Sequence, residues 1–144
     1  MAARSRKPPT KELELARVLL VDGDIASRLT LKTVLEAGGY FVDSAASAAE
    51  AVGKLDERQY ELVLSDLQME SPEAGLKVLA HARLMDYKPA TALVTTYQNA
   101  RTDSSRRPYL ISPQDLPGLL SKIADLISQR AARIVERQMT LRQA

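Results

Sequence analysis

Two short apolar runs, each broken off by a carboxylate, set the terms for what this chain can fold into. Arg17-Val18-Leu19-Leu20-Val21 stops at Asp22, and Glu61-Leu62-Val63-Leu64-Ser65 stops at Asp66. Aliphatic runs of this length without polar alternation are the mark of strands buried on both faces, which belong to parallel sheets covered by helices. In open sheets of that kind ligands gather outside the carboxyl ends of the strands, so an acid at such an end is placed for metal or phosphate chemistry. An acid there can equally cap the next turn, and the run alone does not choose.

The segments between the runs read as helices. After Asp22-Gly23-Asp24, the residues Ile25, Leu29, Val34 and Leu35 mark a helix face that Gly38-Gly39 terminates. Tyr40-Phe41-Val42 reads as a second strand, and Ser47-Ala48-Ala49-Glu50 has capping-box spacing at the start of a helix running through Leu55. After Asp66 comes a loop over residues 67 to 73, then a helix with Leu76, Leu79, Ala80 and Leu84. A fourth strand follows over residues 90 to 95, ending in Thr95 and Thr96. Residues 97 to 107 are polar, without an apolar stripe. Pro108-Tyr109-Leu110-Ile111-Ser112-Pro113 reads as a fifth strand, and the last helix starts near Asp115. Its apolar positions Leu119, Ile123, Leu126, Ile127 and Ile134 run on toward Val135 and Leu141, further than one domain face requires. Strand and helix alternate throughout, which implies a right-handed α/β fold, a doubly wound five-stranded parallel sheet with an extended C-terminal helix.

Length and composition fit one such domain: 144 residues, 45% hydrophobic. The expected division is a disordered basic arm over residues 1–15, the domain over 16–128, and an extension of the last helix over 129–144. Zero Cys excludes disulfides, thiolate catalysis and zinc-thiolate sites. His81 stands alone, without a second His or a Cys to share a metal, and reads as a surface or packing residue. No export signal or membrane span is visible, and a cytoplasmic location is expected. The net charge of +2 is unevenly spread: five bases face two acids in residues 1–17, four face one in residues 128–144, and the body between is acidic. Basic ends of this kind read as solvated tails, and nucleic-acid binding is not expected.

Three strand ends converge on one rim: Asp22 with Asp24, Asp66, and Thr95. Clustered carboxylate oxygens suit Mg²⁺, and a carboxylate beside such an ion can accept a phosphoryl group while a hydroxyl holds its oxygens. Over roughly residues 16 to 128 the chain resembles a response-regulator receiver domain of two-component phosphorelay signalling. Val21-Asp22 resembles its acidic motif, Ser65-Asp66 its phosphoacceptor, Leu67-Gln68-Met69 the segment after it, Thr95 its phosphoryl-binding hydroxyl and Tyr109 its switch aromatic. The resemblance implies a flavodoxin-like sheet of order 2-1-3-4-5. It also implies Mg²⁺ on Asp22, Asp66 and the backbone carbonyl of Gln68, and a histidine kinase or other signalling protein as partner.

The departures shape the functional expectation. Gly23 stands where the second acid of the pair belongs, with Asp24 one position on, Glu70 stands where a Pro is common, and Ser112 replaces the Lys that would reach the phosphoryl oxygens. The interval between Thr95 and Ser112 implies a fourth helix shortened or missing. These changes favour a pseudo-receiver that works by protein–protein contact, the alternative being a Mg²⁺-dependent single-domain response regulator phosphorylated at Asp66. A small phosphatase using Asp22 and Asp24 rests only on Asp-x-Asp spacing, and the chain is not expected to be an enzyme. No DNA-binding output domain is expected after the body. Leu126, Ile134 and Leu141 suggest a homodimer through the C-terminal helix.

Overall fold

The computed structural model describes residues 16–66, 69–71, 73–94, 110–111 and 116–143. Four strands of five residues each, β1 (Arg17–Val21), β2 (Phe41–Ala45), β3 (Leu62–Asp66) and β4 (Ala90–Val94), pair in parallel in the order β2-β1-β3-β4. Among the described residues there are four helices: α1 (Ile25–Ala37), α2 (Ala48–Glu57), α3 (Ala74–Arg83) and α4 (Leu116–Gln143). The expected sheet of five full strands is thereby corrected to a four-stranded one. Of the segment read as a fifth strand, the described residues are the two of β5 (Leu110–Ile111), level with Leu93 and Val94 at the edge. Pro108 and Pro113 bracket that segment, and a proline offers no N–H to a ladder. The expected disordered arm, and the helix expected to be short or missing after Thr95, lie outside the described residues.

Alternate side chains of each strand enter opposite cores. Val18 and Leu20 of β1 pack with Leu31 and Leu35 of α1 and with Leu119, Ile123 and Leu126 of α4. Leu19 and Val21 pack with Ala51 and Leu55 of α2 and with Val78, Leu79 and Ala82 of α3. The period-two split, applied to strands with no polar face, makes the sheet the middle layer of three.

Helix faces were harder to read than strands. Along α1 the buried residues are Leu31 and Leu35, whereas Ile25 and Leu29 are 63% and 57% exposed. At 100° per residue Leu29 lies about 160° around the helix from Leu31, so the expected stripe mixed two faces. The same holds on α3, where Leu76 and Leu84 are exposed while Val78, Leu79 and Ala82 are buried. The helix ends follow local chemistry: Gly38 caps α1, and Gly39 takes φ 104, a left-handed conformation open to glycine. Ser47 accepts from the Glu50 N–H, and the Glu50 carboxylate accepts from the Ala46 N–H, one residue before the usual box. Beyond Leu126, α4 continues for roughly 25 Å at 1.5 Å per residue, leaving Val135, Met139 and Leu141 more than half exposed.

Candidate functional site

The site is built by register. In the β1–β3 ladder Val21 is level with Ser65, so the next residues, Asp22 and Asp66, stand side by side at the carboxyl ends of the two strands, at the roughly 5 Å spacing of neighbouring strands. Both are buried, 2% and 6% exposed, and together with Ser65 they are the buried polar residues among those described. Val94 of β4 is level with Asp66 on its other side.

Asp22 is held from three directions. Its N–H donates to the Ala45 carbonyl at 3.0 Å, its Oδ1 accepts from the Asp24 N–H at 2.9 Å, and its carbonyl accepts from Arg28 Nη1 at 2.7 Å. Asp24 does a different job: its Oδ2 accepts from the Ser27 N–H at 2.9 Å, which makes it the N-cap of α1. Asp66 is fixed through its backbone by the start of α3. A Cβ placed on Gly75 would sit 2.5 Å from the Asp66 carbonyl oxygen and 3.2 Å from Ser65 Oγ, so only glycine lets the helix approach this closely. Glu70, in the loop after β3, accepts from the Ala48 N–H at 3.2 Å and ties that loop to the first turn of α2.

Of the residues expected at the site, the fold brings Asp22 and Asp66 to one rim and turns the Asp24 carboxylate to the helix cap. Gln68, Thr95 and Tyr109 lie outside the described residues, as does Ser112. His81 Nε2 meets Asp56 Oδ1 at 2.9 Å on the side of the molecule formed by α2 and α3. Arg28 and Gly75 are site residues that the sequence reading missed, and Glu70, named there only for standing where a Pro is common, was not expected to hold the loop to α2. Nothing in spacing marks Arg28, but a glycine in the first turn of a helix forfeits propensity, and that cost was a readable sign of close packing at Gly75.

Two buried carboxylates on adjacent strands fit a hard cation such as Mg²⁺, which binds through one or two carboxylates and keeps several waters. Among the described residues no group of three or more His, Cys, Asp or Glu side chains is placed to hold a metal ion. Among them, too, no helix is long and apolar enough to cross a membrane.

The family model for the response regulator receiver domain matches residues 18–106. The chain belongs to that family. A transcriptional regulatory protein, ZraR of Klebsiella oxytoca, is 27% identical to this receiver over 120 residues, 80% of the chain but 27% of the relative's length. The chain thus spans about a quarter of that protein. The structure of the response regulator TrrA from Thermotoga maritima in complex with Mg²⁺-BeF superposes with a TM-score of 0.67 at 29% identity, covering 78% of this chain and 99% of that one. NtrX from Brucella abortus shares the fold with a TM-score of 0.74 at 20% identity, over 86% of this chain and 29% of its own.

Proposed function

We propose that this receiver takes a phosphoryl group on the Asp66 carboxylate in a Mg²⁺-dependent reaction and passes the signal to a partner protein. The observation that carries the reading is the juxtaposition of the two buried acids, Asp22 and Asp66, at the ends of neighbouring strands. Two carboxylates buried side by side present adjacent oxygens, the kind of donor a hard divalent cation takes. Asp22 and Asp66 would hold the ion, with the Gln68 carbonyl as a third donor by resemblance. When bound, Mg²⁺ supplies positive charge to the phosphoryl oxygens. Asp66 forms the new O–P bond as the bond from phosphorus to the donor's leaving group breaks, and that group departs with the electron pair. Asp22, oriented by the Asp24 N–H and the Ala45 carbonyl, keeps its carboxylate at the rim. Thr95 as phosphoryl hydrogen-bond donor, Tyr109 as switch aromatic and a histidine-kinase donor complete the reading on the strength of the resemblance alone.

The likeness to TrrA, a response regulator seen with Mg²⁺-BeF, supports this reading over the pseudo-receiver that Gly23 and Ser112 suggested. A phosphatase role is not proposed, because it needs Asp24 as a general acid and that carboxylate is engaged by the Ser27 N–H. Of the seam expected for a homodimer through α4, Leu126 is buried in the core of the domain itself, so such a dimer would instead cover Leu141 with Val135 and Met139, and sedimentation at rising concentration tests it.

The deciding experiment exposes the protein to acetyl phosphate, and separately to beryllofluoride, with and without Mg²⁺. The expected result is a Mg²⁺-dependent adduct on Asp66 that Asp66→Asn abolishes. An unmodified wild-type chain under conditions that label a control receiver would overturn the proposal and leave the pseudo-receiver.

A further inference from the structure

At the opposite end of the sheet, the C-terminal half of α4 closes over the turn between α3 and β4 and leaves an open cleft of about 470 Å³. Four cations line it, Arg83, Lys88, Arg133 and Arg137, together with the polar side chains of Thr91 and Gln129, and no carboxylate is among its walls. We propose that this cleft is a binding site for a small, multiply charged phosphate ligand of the di- or triphosphate class.

The electrostatics ask for such a ligand. Among the described residues, Arg83, Arg133 and Arg137 have no ion-pair partner. Arg133 and Arg137 stand four apart on one helix, a like-charge spacing that costs the helix stability unless something negative lies between them. Asp86 lines the neighbouring cavity rather than this one, and Glu136, which follows Arg133 by three residues on the same helix, is not among the cleft's walls and forms no ion pair with either arginine. Guanidinium forks pair with phosphate oxygens two at a time, so two or three of them converging suit a ligand with several phosphate oxygens.

The cleft is also built in advance. Arg130 donates to the Tyr87 carbonyl at 2.6 Å and to the Lys88 carbonyl at 2.9 Å, clamping the turn against α4, while the Tyr87 hydroxyl donates to the Leu55 carbonyl at 2.9 Å. Within that clamped turn Lys88 has φ 44, a left-handed conformation that a lysine adopts only when its surroundings impose it. Its Nζ donates to the Arg83 carbonyl at 2.8 Å, which holds the ammonium at the rim. A rim fixed before binding loses little entropy when the ligand arrives. The volume falls within the range of small-molecule sites, about 300 to 1,000 Å³. A nucleic-acid backbone would instead want cations strung along an extended groove.

The test uses the whole 144-residue chain. Tripolyphosphate, adenosine triphosphate and a short single-stranded oligonucleotide are titrated separately by calorimetry at fixed ionic strength. Arg133→Gln and Arg137→Gln should each weaken tripolyphosphate binding at least about tenfold, as expected for loss of a charge-assisted bond. Lys54→Gln and Arg142→Gln, which remove the same charge outside the cleft, should change it less than about twofold. Tighter binding of adenosine triphosphate than of tripolyphosphate would identify a nucleotide, and the reverse an inorganic polyphosphate; both support the site. Thermal midpoints of the variants within about 2 °C of the parent exclude unfolding as the cause. Absence of tripolyphosphate and nucleotide binding near about 1 mM, equal losses in the control variants, or preference for the oligonucleotide would each overturn the proposal. Asp66→Asn should bind the probes like the parent, so failure here and failure of the phosphoacceptor reading are separate results.

Discussion

Gly75→Ala sets two opposing effects against each other at the acid rim. Alanine is the better helix former by about 1 kcal/mol in a helix interior, and by less in a first turn such as this one. Against that gain, the added Cβ would sit 2.5 Å from the Asp66 carbonyl oxygen and 3.2 Å from Ser65 Oγ. Neither neighbour is the far end of a flexible chain: the first is backbone of a central strand, and the second is fully buried. Ordinary contact begins near 3.4 Å, so α3 must back away from β3 by nearly 1 Å, opening its packing at Val78, Leu79 and Ala82. Overpacking of this kind costs about 1–3 kcal/mol, so the net expectation is a loss of about 1–2 kcal/mol. Gly53→Ala is the built-in control, since nothing lies within 4 Å of that Cβ on the exposed side of α2. There the same substitution should stabilise by about 0.5–1 kcal/mol. Urea unfolding of both variants measures the two signs on one scale. A Gly75→Ala protein as stable as Gly53→Ala would refute the argument that α3 is held against Asp66 by the missing side chain.

Three further outcomes follow from named contacts. Asp24→Ala should destabilise by about 1 kcal/mol through loss of the α1 cap, with Mg²⁺ affinity changed far less than in Asp22→Ala; comparable loss of Mg²⁺ binding in both would make Asp24 a ligand after all. Gly23→Asp should fit, because a Cβ there meets only the Ala46 carbonyl at 3.6 Å, and a second acid near a divalent ion, worth about 2 kcal/mol in water-like screening, should tighten Mg²⁺ binding measurably in a fluorescence titration. Burial, and then the hydrogen bond its hydroxyl donates to Asp43 Oδ2 at 2.7 Å, push the Tyr60 phenol well above its usual value of 10.0. The unfolded chain therefore releases that proton first, so stability is intact below pH 10 and falls as pH rises beyond it. Tyr40 and Tyr87, raised by burial, add to the same limb. Tyr60→Phe should flatten the alkaline slope of the thermal midpoint and cost about 1 kcal/mol at neutral pH; an unchanged slope would remove Tyr60 as its main source.

What could be read in advance divides along a physical line. Strands buried on both faces leave no choice of side, so Arg17–Val21 and Leu62–Asp66 were legible from composition alone. The acids that end them come with the strands, which is why the sequence alone places Asp22 and Asp66 together. Helix faces depend on rotation about an axis that tertiary packing fixes, and Ile25 and Leu29 were assigned to the core face although packing turns them to solvent. The fifth strand was the least secure of the five in the sequence, since its apolar core is the pair Leu110–Ile111, the part of it that the described residues show. The ambiguity of Asp22-Gly23-Asp24 was of a third kind: two carboxylates two positions apart can both face a metal or divide the work. At the start of α1 the orphan donor of Ser27 takes Asp24 Oδ2, while the Asp22 N–H donates to the Ala45 carbonyl, an arrangement that favours the second reading. The same logic explains why a glycine is tolerated between them. With an Asp24 oxygen on the cap and Asp22 at the rim, a Cβ at position 23 meets only the Ala46 carbonyl, so Gly23→Asp should bring a second acid to the proposed metal site without disturbing the scaffold that presents it.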